Sequence, residues 1–205
     1  MESIAINGTL RTDLGKKAAK AYKRAGKVVC VIYGGEKNVH FSAVAKDFKP
    51  LLFSGDFKLV NITVDGATYQ CILKAAQFHP VTDEVQHLDF LQLVPGQQVK
   101  VELPLKFRGV APGVKAGGKL IAKVRKVKIK TTPEHLVDSL FVDISGVNLS
   151  ESVRVRDIEL GEGMEIMNAP GIPVASVEVP RALKSADAAE EEEAAETPEA
   201  APAAE

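Results

Sequence analysis

Residues 11–35 read RTDLGKKAAKAYKRAGKVVCVIYGG. Residues 15–25 have helical spacing, with Ala18, Tyr22 and Ala25 on a narrow apolar stripe and Lys16, Lys20, Lys23 and Lys27 on another face. Gly26 stops the helix, because glycine takes the left-handed backbone that closes helix ends. Residues 27–33 then turn rich in Val and Ile, which predicts a buried strand. Seven cations (Arg11, Lys16, Lys17, Lys20, Lys23, Arg24, Lys27) surround one carboxylate, Asp13. Such a gathering is the electrostatic footprint of a polyanion-binding surface.

Working outward, residues 3–10 predict a first strand and residues 38–44 a strand after the Gly34-Gly35 turn. A short helix is expected over 46–53. Residues 57–64 and 68–73 form a hairpin about Asp65-Gly66, a two-residue turn signal. Another strand covers 85–93, and Pro95-Gly96 marks a domain boundary. In the second half, 99–107 alternates, with Pro104 at an edge or a bulge. Residues 120–130 alternate as one strand, and 140–144, 152–156 and 174–179 are further strands. The expected fold class is mainly β with short helices: a first domain over 1–95, a small all-β domain over 96–182 and a disordered acidic tail over 183–205.

The 205-residue chain carries a formal net charge of only -1, which hides segregation. Residues 1–50 hold 10 Lys/Arg against 4 Asp/Glu, residues 96–130 hold 10 against 1, and residues 131–180 hold 2 against 9. Local charge is therefore the better guide to partners. No apolar run approaches the roughly 18 residues of a membrane span, and the N-terminus lacks a signal-peptide pattern. Cys30 and Cys71 have no metal-binding spacing, and a reduced cytoplasmic setting is expected.

On the strand at 85–93, Leu88 and Phe90 point to one face and His87 and Asp89 to the other. The apolar pair takes the core and the polar pair is presented outward. A carboxylate is repelled by phosphates, so Asp89 suits accepting hydrogen bonds from base amino groups. A Cys-His-Asp nucleophile set from Cys30 or Cys71 with His79, His87 and Asp89 has no surrounding motif, and both cysteines sit in apolar patterns. Histidines 40, 79, 87 and 135 lack zinc-ligand spacing. Residues 113–119 fit GxxxxGK, but Leu120 follows where a P-loop needs a hydroxyl, and a strand follows where it needs a helix. The segment reads as a glycine-rich loop between strands. No cofactor, metal or small-molecule substrate is expected.

Arg11, Gly15-Lys16, Ala18, Gly26-Lys27 and Val31-Ile32-Tyr33-Gly34-Gly35, then Val64-Asp65-Gly66, Gln77-Phe78-His79-Pro80 and His87-Leu88-Asp89-Phe90, resemble the bacterial large-subunit ribosomal protein family that binds 5S rRNA. The β-rich second half is similar to its two-domain form, the general stress protein CTC type, and includes Pro112-Gly113-Val114-Lys115-Ala116-Gly117-Gly118 and Asp143-Ile144-Ser145-Gly146-Val147. The resemblance runs over residues 2–180. It implies that the first domain is a small β-barrel with flanking helices that docks on an irregular internal loop of 5S rRNA through its widened minor groove, without catalysis. Carried over by position, it implies RNA contacts at Arg11, Lys16, Lys20, Lys23, Tyr33, Gln77, His87 and Asp89. Ala21 stands where the family often has Arg, and Val29 where Pro is common. The implied partners are 5S rRNA and the large ribosomal subunit. The basic block at 96–130 is left with ribosomal RNA, a neighbouring ribosomal protein or solvent. The competing class is a stress-related RNA- or protein-binding module acting off the ribosome.

Overall fold

The computed structural model describes residues 2–180. The expected acidic tail at 183–205 lies outside the described residues. In chain order the strands are β1 (Ser3–Leu10), β2 (Lys27–Tyr33), β3 (Val39–Val44), β4 (Leu59–Val64), β5 (Ala67–Phe78), β6 (Val85–Gln92), β7 (Val99–Arg108), β8 (Lys119–Ala122), β9 (Lys126–Thr131), β10 (Leu140–Asp143), β11 (Ser152–Arg154), β12 (Ile158–Glu159), β13 (Glu165–Ile166) and β14 (Pro173–Glu178). The helices are α1 (Lys16–Arg24), α2 (Lys49–Leu52) and α3 (Pro112–Lys115). The described residues fold as two compact units: one of residues 2–106, 126–140 and 160–168, the other of residues 107–125, 141–159 and 169–180.

In the first unit, six strands close a barrel in the order β1-β3-β2-β6-β5-β4. Two of its pairings are parallel, β1 with β4 and β2 with β6. Alternation decides what fills it. Val28, Cys30 and Ile32 of β2, Phe41 and Ala43 of β3, and Leu88 and Phe90 of β6 point into one core cluster. The Phe90 ring lies 6.0 Å from those of Phe41 and Phe48, centroid to centroid. Burying each such side chain is worth roughly 1.5–3 kcal/mol. The hairpin turn is as expected: Asp65 (φ 48°) and Gly66 (φ 86°) both take positive φ, which a type I′ turn requires. In the same unit β9 runs antiparallel between β7 and β13.

The predicted helix over 46–53 is a 3-10 turn, Ala45–Phe48, followed by α2. Pro50 lies in the first turn of α2, where its missing N–H is tolerated. The predicted single strand over 120–130 is two strands. Backbone N–H groups of Lys123 and Val124 both donate to the Val174 carbonyl, at 2.9 and 3.1 Å, so the chain bends there. β8 pairs with β14 and β9 with β7. Pro104, opposite Lys126, closes the β7–β9 ladder at its last pair.

In the second unit β14 lies between β11 and β8, and β12 pairs antiparallel with β10. The strand expected over 152–156 stops at Arg154, where a 3-10 turn begins and the Asp157 carboxylate accepts the Arg154 N–H at 2.9 Å. Residues 112–115 form a helical turn rather than open loop. That turn precedes β8, whereas a P-loop needs its helix after the phosphate-binding turn.

Candidate nucleic-acid interface

The outer face of the barrel is the complement of its core. With Leu88 and Phe90 fully buried, His87 and Asp89 stand outward, each about 30 % exposed at the side chain (30 and 28 %). Register then supplies their neighbours. Across β6, His87 faces Val29 of β2 on one side and Gln77 of β5 on the other. In the next row Asp89 faces Val31 and Ala75, and Val31 faces His40 of β3. With strands about 4.8 Å apart, His40 and Asp89 lie two spacings, on the order of 10 Å, from each other. Register shifts between Leu73 and Ala75 and between Gln77 and Phe78 mark the β5 end of this surface. Such shifts re-aim side chains.

The Nδ1 of His87 is 2.7 Å from Asp89 Oδ1. The contact does not have the geometry of a hydrogen bond. Tyr33 follows on β2, opposite Leu91. Burial first, and then the Asp89 charge, push its hydroxyl above the ordinary tyrosine value, so it is a neutral hydrogen-bonding group at physiological pH.

Helix α1 packs against β2 and buries none of its own residues completely. Ala18 and Tyr22 of the predicted stripe are half-buried, while Ala25 caps the helix and is exposed. Gly26, at φ 71°, ends it as expected. Lys16, Lys20 and Lys23 are exposed, with no carboxylate in the first turn. Lys23 Nζ donates to Gln86 Oε1 at 3.4 Å, which joins the helix to β6 beside His87.

Arg11 differs from the other predicted contacts: it is only 7 % exposed. Its guanidinium carbon sits 4.9 Å from the Tyr22 ring centroid, and Nη2 donates to the Asp13 carbonyl at 3.0 Å. Its backbone N–H bonds the His40 carbonyl. The structure thus sets Gln77, His87, Asp89 and Tyr33 on adjoining strands and ties Lys23 to them through Gln86. Arg11 packs beneath α1, and Lys16 and Lys20 remain along the helix. His40 and Gln86 join the surface although no sequence motif marks them. The inward Phe41 is the signal for His40, because its neighbour on the strand must face the other way.

The catalytic alternative fails on geometry. Cys30 belongs to the barrel core, opposite Leu88, while His87 and Asp89 are on the other face of the same sheet. Burial pushes both thiols up, that of Cys71 to about 12, so neither is a thiolate at neutral pH. Among the described residues no His, Cys, Asp and Glu side chains cluster as a metal site, and no helix is long and apolar enough to cross a membrane.

Comparison with known proteins finds matches along both halves of the chain. The Ribosomal L25p family matches residues 6–90, and the C-terminal domain of ribosomal protein TL5 matches residues 98–181. The chain is 40% identical over 189 residues to large ribosomal subunit protein bL25 of Cytophaga hutchinsonii, covering 92% of this chain and 98% of that one. It is 40% identical over 192 residues to the bL25 of Amoebophilus asiaticus, covering 94% and 97%. For the bL25 of Phocaeicola vulgatus the identity is 37% over 195 residues, covering 92% and 98%. With both halves matched and relatives aligned along almost their whole length, the chain belongs to the bL25 family of large ribosomal subunit proteins.

Proposed function

We propose that this structural, non-catalytic protein of the cytoplasmic large ribosomal subunit binds 5S rRNA at an irregular internal loop through its N-terminal domain, residues 1–95. The observation that carries the reading is the row Gln77–His87 with Asp89 beside it, on a sheet face flanked by a helix rich in lysine. RNA is read through its shallow minor groove, its 2′-hydroxyls and irregular loops. Gln77 and His87 offer both donors and acceptors there, and Asp89 accepts from base amino groups. Lys16, Lys20 and Lys23 supply attraction to phosphates and fix register. Tyr33 adds a neutral hydroxyl. Arg11, buried with its guanidinium against Tyr22, holds the lysine-bearing helix in place beside that face.

The test is a gel shift of the full chain against 5S rRNA and an unrelated structured RNA at matched salt. A preference for 5S rRNA is expected, with affinity falling steeply as salt rises. Equal affinity for the two RNAs, or a flat salt dependence, would sink the reading.

A further inference from the structure

A groove of about 510 Å³ lies beside the C-terminal end of α1. Its walls include Lys23, Lys27, Lys49, Phe53, His79 and Gln86. Phe53, which follows α2, is 70 % exposed, while Phe48 and Leu51 just before it are buried. A phenyl ring left in water forgoes the free energy of its burial. Here that ring sits on a concave wall among cations.

The facing loop is held in shape. His79 N–H donates to the Glu84 carbonyl at 2.8 Å, and Asp83 N–H to the His79 carbonyl at 3.0 Å. His79 Nδ1 accepts from the N–H groups of Val81 and Thr82, at 3.4 and 3.2 Å. The hydrogen of the neutral ring is therefore on Nε2, which leaves a donor for a ligand. Lys23 and Gln86, bonded to each other, belong both to this groove and to the edge of the sheet face bearing His87.

We infer that the groove takes an unpaired nucleobase of the bound RNA, stacked on Phe53, with the adjoining phosphates on Lys23, Lys27 and Lys49. An aromatic platform beside cations is the arrangement that single-stranded nucleotides use. Asp83 and Glu84 also line the groove and accept from exocyclic amino groups. Its size falls within the roughly 300–1,000 Å³ of small-molecule sites. An apolar peptide would use the ring and leave the lysines unmatched. The inference rests on the RNA-binding function proposed above.

The full chain contains no Trp, so Phe53→Trp installs a lone indole reporter. Phe53→Ala is expected to weaken 5S rRNA binding about tenfold with an unchanged unfolding midpoint. Phe53→Trp should keep the affinity, and its emission should be quenched as 5S rRNA is added. Wild-type preference for 5S rRNA with Phe53→Ala unaltered and no quenching overturns the base site alone. Loss of that preference in the wild type removes the proposed function and the base site with it. Quenching by intact large subunits but not by 5S rRNA gives the groove an occupant other than 5S rRNA and also overturns the proposal.

Discussion

His87 Nδ1 lies 2.7 Å from the carboxylate of Asp89, two residues along β6 on the same outer face. The contact leaves the other imidazole nitrogen and the second carboxylate oxygen for a ligand. It also sets a negative group on a surface otherwise suited to a polyanion. Asp89→Asn keeps the shape and removes the charge. Affinity for 5S rRNA should fall by about 1–3 kcal/mol, as for a lost base-reading contact. Affinity for an unrelated structured RNA should hold or rise, because a repulsive charge is gone. Titration of both RNAs decides it, and equal changes for the two would remove Asp89 from selectivity.

Arg11 is treated differently by its surroundings. Buried beneath Tyr22 and bonded to the Asp13 carbonyl, it fastens α1 to the barrel. Arg11→Ala should cost about 1–2 kcal/mol of stability, read as a lower urea midpoint. It should weaken 5S rRNA binding as well, because the lysine-bearing helix loses its anchor. Arg11→Lys should not restore stability, since an ammonium cannot reproduce the planar stacking. Full rescue by lysine would show that charge alone matters there.

The barrel thiols give a pH signature. Burial raises the Cys71 thiol to about 12 and the Cys30 thiol further. Folded thiols stay neutral where unfolded ones ionise. Their contribution to stability is complete below the unfolded value and is lost as pH rises through the folded one. The urea midpoint should therefore decline between about pH 9 and 12. In Cys30→Ser/Cys71→Ser, any decline left comes from other groups. Iodoacetamide at pH 8 should modify neither cysteine in the native chain and both in guanidinium, as read by mass spectrometry.

Two glycines of the second unit form a matched pair. A Cβ on Gly113 would come within 2.7 Å of the Asn148 carbonyl carbon and 2.8 Å of the Leu149 nitrogen, both backbone atoms that cannot swing aside. Around Gly146 nothing lies within 4 Å. Gly113→Ala should destabilise by about 1–3 kcal/mol, and Gly146→Ala by less than about 0.5 kcal/mol. Differential scanning calorimetry compares them. Equal melting temperatures would mean that the 112–118 turn is not packed against residues 148–149.

Much of the barrel was legible because its strands alternate. The inward placing of Leu88 and Phe90, and so the outward placing of His87 and Asp89, follows from the pleat alone. The Asp65-Gly66 hairpin and the Gly26 helix stop follow from backbone conformations that few residues accept. Other segments were not legible. The run from 120 to 130 alternates without a break, yet it bends at Lys123–Val124, because the hydrogen-bonding partner that bends it, Val174, is distant in sequence. The far end of β5 was hidden because Lys74, Ala75 and Ala76 have low strand propensity; Lys74 falls at the register shift after Leu73, and Ala75 and Ala76 are held by pairing with β6.

By itself, the sequence determined the cation-bearing helix, the strands on either side of it, and the face on which each polar residue of β6 would stand. These are local matters of period and side-chain chemistry. Only the tertiary structure decided which strands adjoin. The parallel pairing of β2 with β6 sets His87 beside Val29, and the β5–β6 ladder sets Gln77 across from it. The buried stacking of Arg11 on Tyr22 was also a tertiary outcome. Period fixes a side chain's face, whereas its neighbours on that face depend on barrel closure, a property of the whole set of strands.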